Sequence, residues 1–264
     1  MPPRHSLTSL ALLTLALCSV MRAEVILSDD FEGAPTGVLA PDYLETHWQA
    51  NVINGVAEGR VSVVEEDGNQ FIRLTYPEGQ ISPPNSGAQW NRLFRHPVDE
   101  AVAEYRVRFD ADFDWTHGGK LPGLTGGVQP TGGRPNPNGF TSRYMWRKDG
   151  NLVVYLYHSE QKGRFGDDLP LGKQLLIPAG GWHSLRQRVK LNTPGEPDGV
   201  LQVWVDGELL LNRHDLRWRQ AGADWGINHF FFSSFHGGGS DAYRPARTNH
   251  IDFDDFKVTL TRLP

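Results

Sequence analysis

The sequence predicts an all-β protein built as a β-jelly roll, a sandwich of two sheets. Three observations predict it. Short runs alternate apolar and polar residues with the two-residue period of a half-buried strand. The 29 glycines and 18 prolines of the 264-residue chain fall largely between these runs, where turns are needed. No stretch keeps the apolar spacing of a long amphipathic helix, and no internal repeat is visible. Evenly spaced short strands favour two packed sheets over a closed barrel.

The chain opens on a targeting segment. Arg4 and His5 precede a mostly apolar run from Leu7 to Val20. That run is short for a bilayer span and fits a secretory signal peptide. Its end is placed at Ala23, giving residues 1–23 as signal peptide and 24–264 as one domain. The protein is therefore expected to be secreted, extracellular or periplasmic, with no membrane contact beyond the signal peptide. The one cysteine, Cys18, lies inside the signal segment. The mature chain is expected to fold without a disulfide, and it is long enough to do so.

The strands follow in order. Glu24 to Leu27 leads into a turn at Ser28–Gly33. Arg60–Val64 and Gln70–Tyr76 flank Glu65–Asn69 as a hairpin with a glycine in its loop. Ala88-Gln89-Trp90 restarts the chain after a Pro/Asn/Gly break. Val102 to Phe109 sets Ala103, Tyr105, Val107 and Phe109 on one side and charged residues on the other. Lys173–Ile177 reads as a strand or a short turn. Trp182 to Leu191 alternates again. Val200–Val205 and Glu208–Leu211 flank Asp206-Gly207, a pair suited to a tight hairpin turn. His229 to Phe235 is an aromatic strand, Gly237–Asp241 a flexible loop, and His250 to Leu260 the closing strand.

The stretch from Trp115 to Arg164 departs from the rest in charge. It carries seven basic residues against two acidic ones, on a chain whose formal net charge is −5. An acidic protein argues against general nucleic-acid binding. A basic island on it argues for an anionic ligand, because local potential guides binding more than net charge does. Within the stretch, Lys120 sits in a Gly/Pro-rich turn expected to be exposed. Two strands follow. One puts Thr141, Arg143 and Met145 on one face and Phe140, Ser142, Tyr144 and Trp146 on the other. The next puts Val153, Tyr155 and Tyr157 on one face. Asp149-Gly150-Asn151 can turn the chain between them. The two strands are then antiparallel neighbours, and Arg143, Tyr155 and Tyr157 share one face.

A face carrying arginine, threonine and two tyrosines is too polar for a core and fits a lined cleft. It suits β-elimination on a uronic acid. That reaction removes the C5 proton beside a carboxylate and expels the oxygen on C4. Arginine and lysine offset the carboxylate charge. Tyrosine serves as base or acid if nearby cations lower its pKa from about 10. Each residue also has a plainer reading. The tyrosines can simply cover a sheet, and Arg143 can pair with a surface acid. Trp90, Trp115 and Trp146 are core residues by default. His117, His158 and His236 lack metal-ligand spacing. Asp252, Asp254 and Asp255 either hold a structural calcium or are solvated at a strand end, the second being the stronger reading.

Gly118-Gly-Lys-Leu-Pro-Gly123 with Gly126-Gly127, then Thr141-Ser-Arg-Tyr-Met-Trp146, then Tyr155-Leu-Tyr157 resembles polysaccharide lyase family 14. Phe235–Asp241 and Ile251–Phe256 are similar to the end of such domains. The resemblance covers most of the chain after residue 85. It implies a concanavalin-like β-jelly roll that cleaves alginate or glucuronan by β-elimination, without a redox cofactor. It places the family's catalytic lysine on Lys120, its Ser-x-Arg pair on Thr141 and Arg143, and its Tyr-x-Tyr pair on Tyr155 and Tyr157. Threonine replaces serine at Thr141, which bears on the substrate more than on the reaction.

The expected activity is therefore that of a secreted polysaccharide lyase acting on an acidic polysaccharide as a monomer. Lys120, Arg143, Tyr155 and Tyr157 are the expected catalytic residues; Thr141, Gln89 and His236 are expected to line the cleft and bind substrate. No metal site is expected beyond the calcium alternative. Two rivals stand beside this reading. One is a non-catalytic carbohydrate-binding or lectin-like domain on the same fold. The other, weaker, is a glycoside hydrolase, for which Asp149 and Glu160 make no convincing carboxylate pair.

Overall fold

The structure, a computed structural model, describes residues 22–262. The signal segment predicted for residues 1–23 lies outside the described residues except for Arg22 and Ala23, which begin the first strand. In chain order the strands are β1 (Arg22–Asp29), β2 (Gly37–Val38), β3 (Ala50–Asn54), β4 (Val61–Glu66), β5 (Asn69–Tyr76), β6 (Ala88–Val98), β7 (Glu100–Phe109) and β8 (Gly119–Gly127). They continue with β9 (Gly139–Trp146), β10 (Asn151–Tyr157), β11 (Asp167–Leu176), β12 (Trp182–Lys190), β13 (Gly199–Val205), β14 (Glu208–Leu216), β15 (Ile227–His236) and β16 (Asn249–Arg262). One helix, α1 (Pro41–His47), lies between β2 and β3.

The strands form two antiparallel sheets. The larger has nine strands in the order β14-β13-β12-β7-β16-β5-β4-β2, with β1 pairing on β16; the smaller has seven in the order β11-β10-β9-β8-β15-β6-β3. This is the two-sheet jelly roll that the alternating runs predict. On β7, Ala101, Ala103, Tyr105, Val107 and Phe109 are all buried while their neighbours are not. The core between the sheets is aromatic. Trp90 stacks on Phe232 with ring centres 3.6 Å apart, and Tyr105, Phe230, Phe253 and Phe256 crowd around them. Such pairs add about 0.5–1.5 kcal/mol each beyond the area they bury. Trp90 and Trp146 belong to this core, the default reading for them.

Two elements differ from expectation. Helix α1 is only seven residues long, too short to show a period, and its one inward side chain is Leu44. The Gly/Pro-rich turn around Lys120 is not a turn. It is β8, the middle strand of the smaller sheet, flanked by β9 and β15. Glycine is tolerated there because neighbouring chain presses in: a Cβ on Gly123 would come 2.0 Å from the carbonyl oxygen of Ser142. Pro122 sits where the β8–β9 register slips between Leu121 and Gly123, the place in a sheet where a residue without an N–H fits.

The aspartates considered for calcium are taken up by arginines instead. Asp252 accepts from Arg73 and Arg108, and Asp255 pairs with Arg106. Asp254 accepts from Asn69. The plain reading of a solvated strand end is corrected at Asp252 and Asp254, which are buried and held by β5 and β7, while Asp255 is exposed.

Candidate active site

The smaller sheet turns its second face away from the core, and alternation decides what that face carries. The β9–β10 register sets Tyr155 opposite Arg143 and Tyr157 opposite Thr141. The β8–β9 register sets Gly123 beside Arg143 and Lys120 beside Met145. On the far side of β8, β15 contributes Phe231 and Phe235, next to Gly123 and Lys120. Beyond it, β6 sets Gln89 opposite Ser233. The predicted pairing of the two strands around Asp149–Asn151 is therefore present. Lys120, Arg143, Tyr155 and Tyr157 come together on one face.

These side chains are buried: Lys120 is 8 % exposed, Arg143 2 %, Tyr155 6 % and Tyr157 1 %. The loops on either side close over them. The backbone N–H of Gly133, from the β8–β9 loop, donates to the Tyr157 hydroxyl at 2.8 Å. The N–H of Gly166, before β11, donates to the Tyr155 hydroxyl at 3.1 Å. Tyr243, from the β15–β16 loop, packs on Met145, Val153 and the two tyrosines. Two shallow surface hollows flank Trp225 instead, and neither contains Lys120, Arg143 or either tyrosine.

Among the described residues neither Lys120 nor Arg143 makes an ion pair. The Lys120 amine lies 2.7 Å from the Met145 sulfur, a weak acceptor, and 3.9 Å from the centre of the Tyr155 ring. Arg143 donates from Nη1 to the Ser233 hydroxyl at 3.1 Å and lies against the Phe231 ring, while its Nε is buried without a partner. The nearby acid Asp168 is held by Arg147. Burial is therefore the largest effect on both cations. It pushes Lys120 well below its ordinary value, helped by repulsion from Arg143 and Arg147. It lowers Arg143 to about 10, against the pull of Tyr155 and Tyr157. Tyr155 moves the other way. Burial, then the neighbouring Tyr157, raise it, and the Gly166 N–H and Arg143 only partly oppose them. The expectation that cations would lower a tyrosine is thus corrected at Tyr155, where desolvation outweighs charge.

Of the three predicted cleft residues, one lies on the other side of the sheet and two have their polar ends engaged within the protein. His236 is not in the cleft. Its ring stacks on Phe113 and meets Tyr76 and Trp146 edge-on, on the core side, and burial lowers its pKa to about 4. Thr141 lies on the right face, but its hydroxyl donates to the carbonyl of Pro130 at 2.9 Å and so ties down the β8–β9 loop. Gln89 is in the wall with both ends of its amide engaged, by Asn54 and by Ser233. Of the basic island Lys120 and Arg143 are buried in the site, and Arg147 lies at its edge, 5.6 Å from the centre of the Tyr155 ring. The rival carboxylates are elsewhere: Glu160 pairs with Arg217, and Asp149 is exposed in the turn between β9 and β10.

The residues that the sequence reading passed over are Ser233, Phe231 and His229. All lie on β15, read there only as an aromatic strand. A serine two positions from Phe231 in that run was the available signal, because a strand wholly inside a core has no use for it. His229 has its Nδ1 at 2.6 Å from the Asn228 side-chain oxygen and its Nε2 buried without a partner.

Lys120, Arg143 and two tyrosines buried on one sheet face make a polar site on a jelly-roll framework. The comparisons with known proteins give the particular family. The profile of Polysaccharide lyase 14 matches residues 64–256, and the chain belongs to that family. Among solved structures, the alginate lyase Aly36B is similar at 26% identity and a TM-score of 0.78, over 90% of this chain and 98% of that one. A mutant of Aly36B in complex with alginate tetrasaccharide gives 26% identity and a TM-score of 0.79 over the same shares. The alginate lyase of Aplysia kurodai shares the fold at 24% identity, with a TM-score of 0.73 over 90% of this chain and 100% of that one. No curated protein sequence matches the chain. The family makes this chain a polysaccharide lyase in the broad sense.

Proposed function

We propose that the protein cleaves a uronate polymer by β-elimination at the face formed by Lys120, Arg143, Tyr155 and Tyr157. One observation carries this reading: among the described residues the Arg143 guanidinium is buried with no carboxylate partner, beside a buried Lys120 amine. A buried charge without a counter-ion is strongly unfavourable. It is understandable where the counter-ion arrives with the substrate. Arg143 then receives the C5 carboxylate and offsets the charge that spreads onto it as the C5 proton leaves.

The opposed pKa shifts divide the remaining roles. Lys120, held neutral by burial, takes the C5 proton on Nζ. Tyr155, kept protonated, gives its hydroxyl proton to O4 as the C4–O4 bond breaks. The electron pair of the C5–H bond becomes the C4–C5 double bond, and the pair of the C4–O4 bond leaves with oxygen. Tyr157 sits edge-on to Tyr155 with ring centres 5.6 Å apart and holds it in place. This assignment departs from the expectation that the tyrosines serve as both base and acid.

Alginate is the favoured substrate, on the likeness to Aly36B, and glucuronan the alternative. The test is the ultraviolet absorbance of the unsaturated product on alginate, glucuronan and related acidic polymers. Product formation abolished in Lys120→Ala and Tyr155→Phe supports the assignment. Undiminished turnover in either variant removes that residue from its role. Binding of the polymers without product would leave only a carbohydrate-binding domain.

A further inference from the structure

The Arg143 guanidinium is joined to the edge of the sheet by a row of polar side chains that the reaction scheme above leaves unused. Asn54 Nδ2 on β3 donates to Gln89 Oε1 on β6 at 3.1 Å. Gln89 Nε2 donates to Ser233 Oγ on β15 at 2.8 Å. Arg143 Nη1 on β9 donates to the same oxygen at 3.1 Å. Ser233 is fully buried. Its oxygen thus accepts two hydrogen bonds, and among the described residues its own proton has no acceptor. The neighbouring Arg143 Nε is likewise buried without a partner. The Phe231 ring lies 5.3 Å from the guanidinium carbon and fixes its plane.

A buried hydroxyl proton and a buried guanidinium N–H, side by side and both unused, call for an acceptor from outside. We propose that Ser233 is a substrate-binding residue that donates its hydroxyl proton to the uronate carboxylate beside Arg143. Gln89 is the positioning residue that turns the proton that way, and Asn54 holds Gln89. This rests on the reading that Arg143 receives a carboxylate, and it adds a second donor to that subsite. The donor is neutral and preorganised, and it strengthens as charge moves onto the carboxylate in the transition state. The direction of the chain is essential. Were the Gln89 amide reversed, Ser233 would donate to residue 89 and have nothing left for the substrate.

The experiment is steady-state kinetics on alginate and glucuronan for Ser233→Ala, Gln89→Met, Gln89→Glu and the Ser233→Ala/Gln89→Met pair, with a melting curve for each. Ser233→Ala is expected to lower kcat about 100-fold with little change in KM. The pH profile keeps its midpoints, because Lys120 and Tyr155 lose no partner. Gln89→Met falls in the same direction, and the double variant is no worse than Ser233→Ala alone, since both changes remove one interaction. Gln89→Glu, nearly the same shape, loses more than Gln89→Met, because its carboxylate captures the Ser233 proton.

Wild-type kcat in folded Ser233→Ala, or wild-type turnover in Gln89→Glu, overturns the proposal while leaving the lyase reading intact. Additive losses in the double variant overturn the role of Gln89. If the unsubstituted protein makes no unsaturated product from any uronate polymer, the lyase reading fails and this proposal fails with it. Should Ser233→Ala not fold, the two Gln89 variants decide alone: a greater loss in Gln89→Glu supports the proposal, and an equal or smaller loss overturns it.

Discussion

The amine of Lys120 lies over the face of Tyr155, 3.9 Å from the ring centre. Two effects compete at this contact. The ring attracts an ammonium by up to about 2 kcal/mol when desolvated, somewhat over one pKa unit. Full burial opposes the charge by as much as about 3–5 units. Desolvation wins, and the amine is held towards its neutral form beside a phenol held in its protonated form. The contact brings a base and an acid together with their proton states already assigned.

Replacing Lys120 is therefore expected to move activity and stability in opposite directions. Lys120→Met removes the base and lowers kcat by roughly 100-fold or more. It also removes a buried amine without a counter-ion, and it raises stability by about 1 kcal/mol. Product assays and thermal melts on one preparation check both. A variant that is inactive and less stable contradicts this account.

The dependence of kcat on pH follows from the same shift. The base works when neutral, so activity rises with pH through the lowered Lys120 pKa and keeps rising no further than that. The acid limb of the profile then lies well below 10.5, the ordinary lysine value. Stability carries the matching sign. Between the folded and unfolded pKa values the unfolded chain holds a proton that the folded chain does not, so stability rises with pH across that window. Kinetics and melts from pH 5 to 10 measure both limbs. In Lys120→Met the stability slope assigned to this group disappears.

Tyr155→Phe is expected to lose roughly 100-fold or more in kcat on polymer, where the leaving oxygen needs a proton. The loss shrinks on a uronide carrying a nitrophenyl leaving group, which departs without one. An equal loss on both substrates would mean that Tyr155 acts in some other step.

Asp252 is the ion-pair centre of the larger sheet. Its carboxylate is 4 % exposed and is shared by Arg73 and Arg108. Asp252→Asn is expected to lower stability by roughly 2 kcal/mol, below the usual figure for a broken buried pair because both arginines are partly exposed. A chelator is expected to leave the melting temperature of the unsubstituted protein unchanged, since these oxygens are already occupied by arginine. A fall in melting temperature on chelation would restore calcium to this strand.

The sheets were legible because their signals are local. The hairpin at Asp206-Gly207 and the alternation of β7 need only neighbouring residues to be read. The pairing of β9 with β10 was legible for the same reason, and it brought Arg143, Tyr155 and Tyr157 together. What was not legible depends on partners far along the chain. Lys120 reads as part of an exposed turn until β9 and β15 close on either side of Gly119–Gly127. His236 reads as a cleft residue until Phe230 and Phe232 are seen in the core, because the alternation of β15 then turns it inward with them. Ser233, one position out of phase with them, is hidden inside a run of phenylalanines. Gln89 lies within reach of Arg143 through Ser233, but no local pattern shows that Asn54 and Ser233 occupy its amide.

The two tyrosine hydroxyls are held by main-chain amides from different loops, Gly133 for one and Gly166 for the other. Those loops also touch each other, through Arg164 Nε and the Gly133 carbonyl at 3.3 Å. Freeing either phenol means parting it from a main-chain amide, and because the two loops are joined to each other, an opening at one clasp is felt at the other.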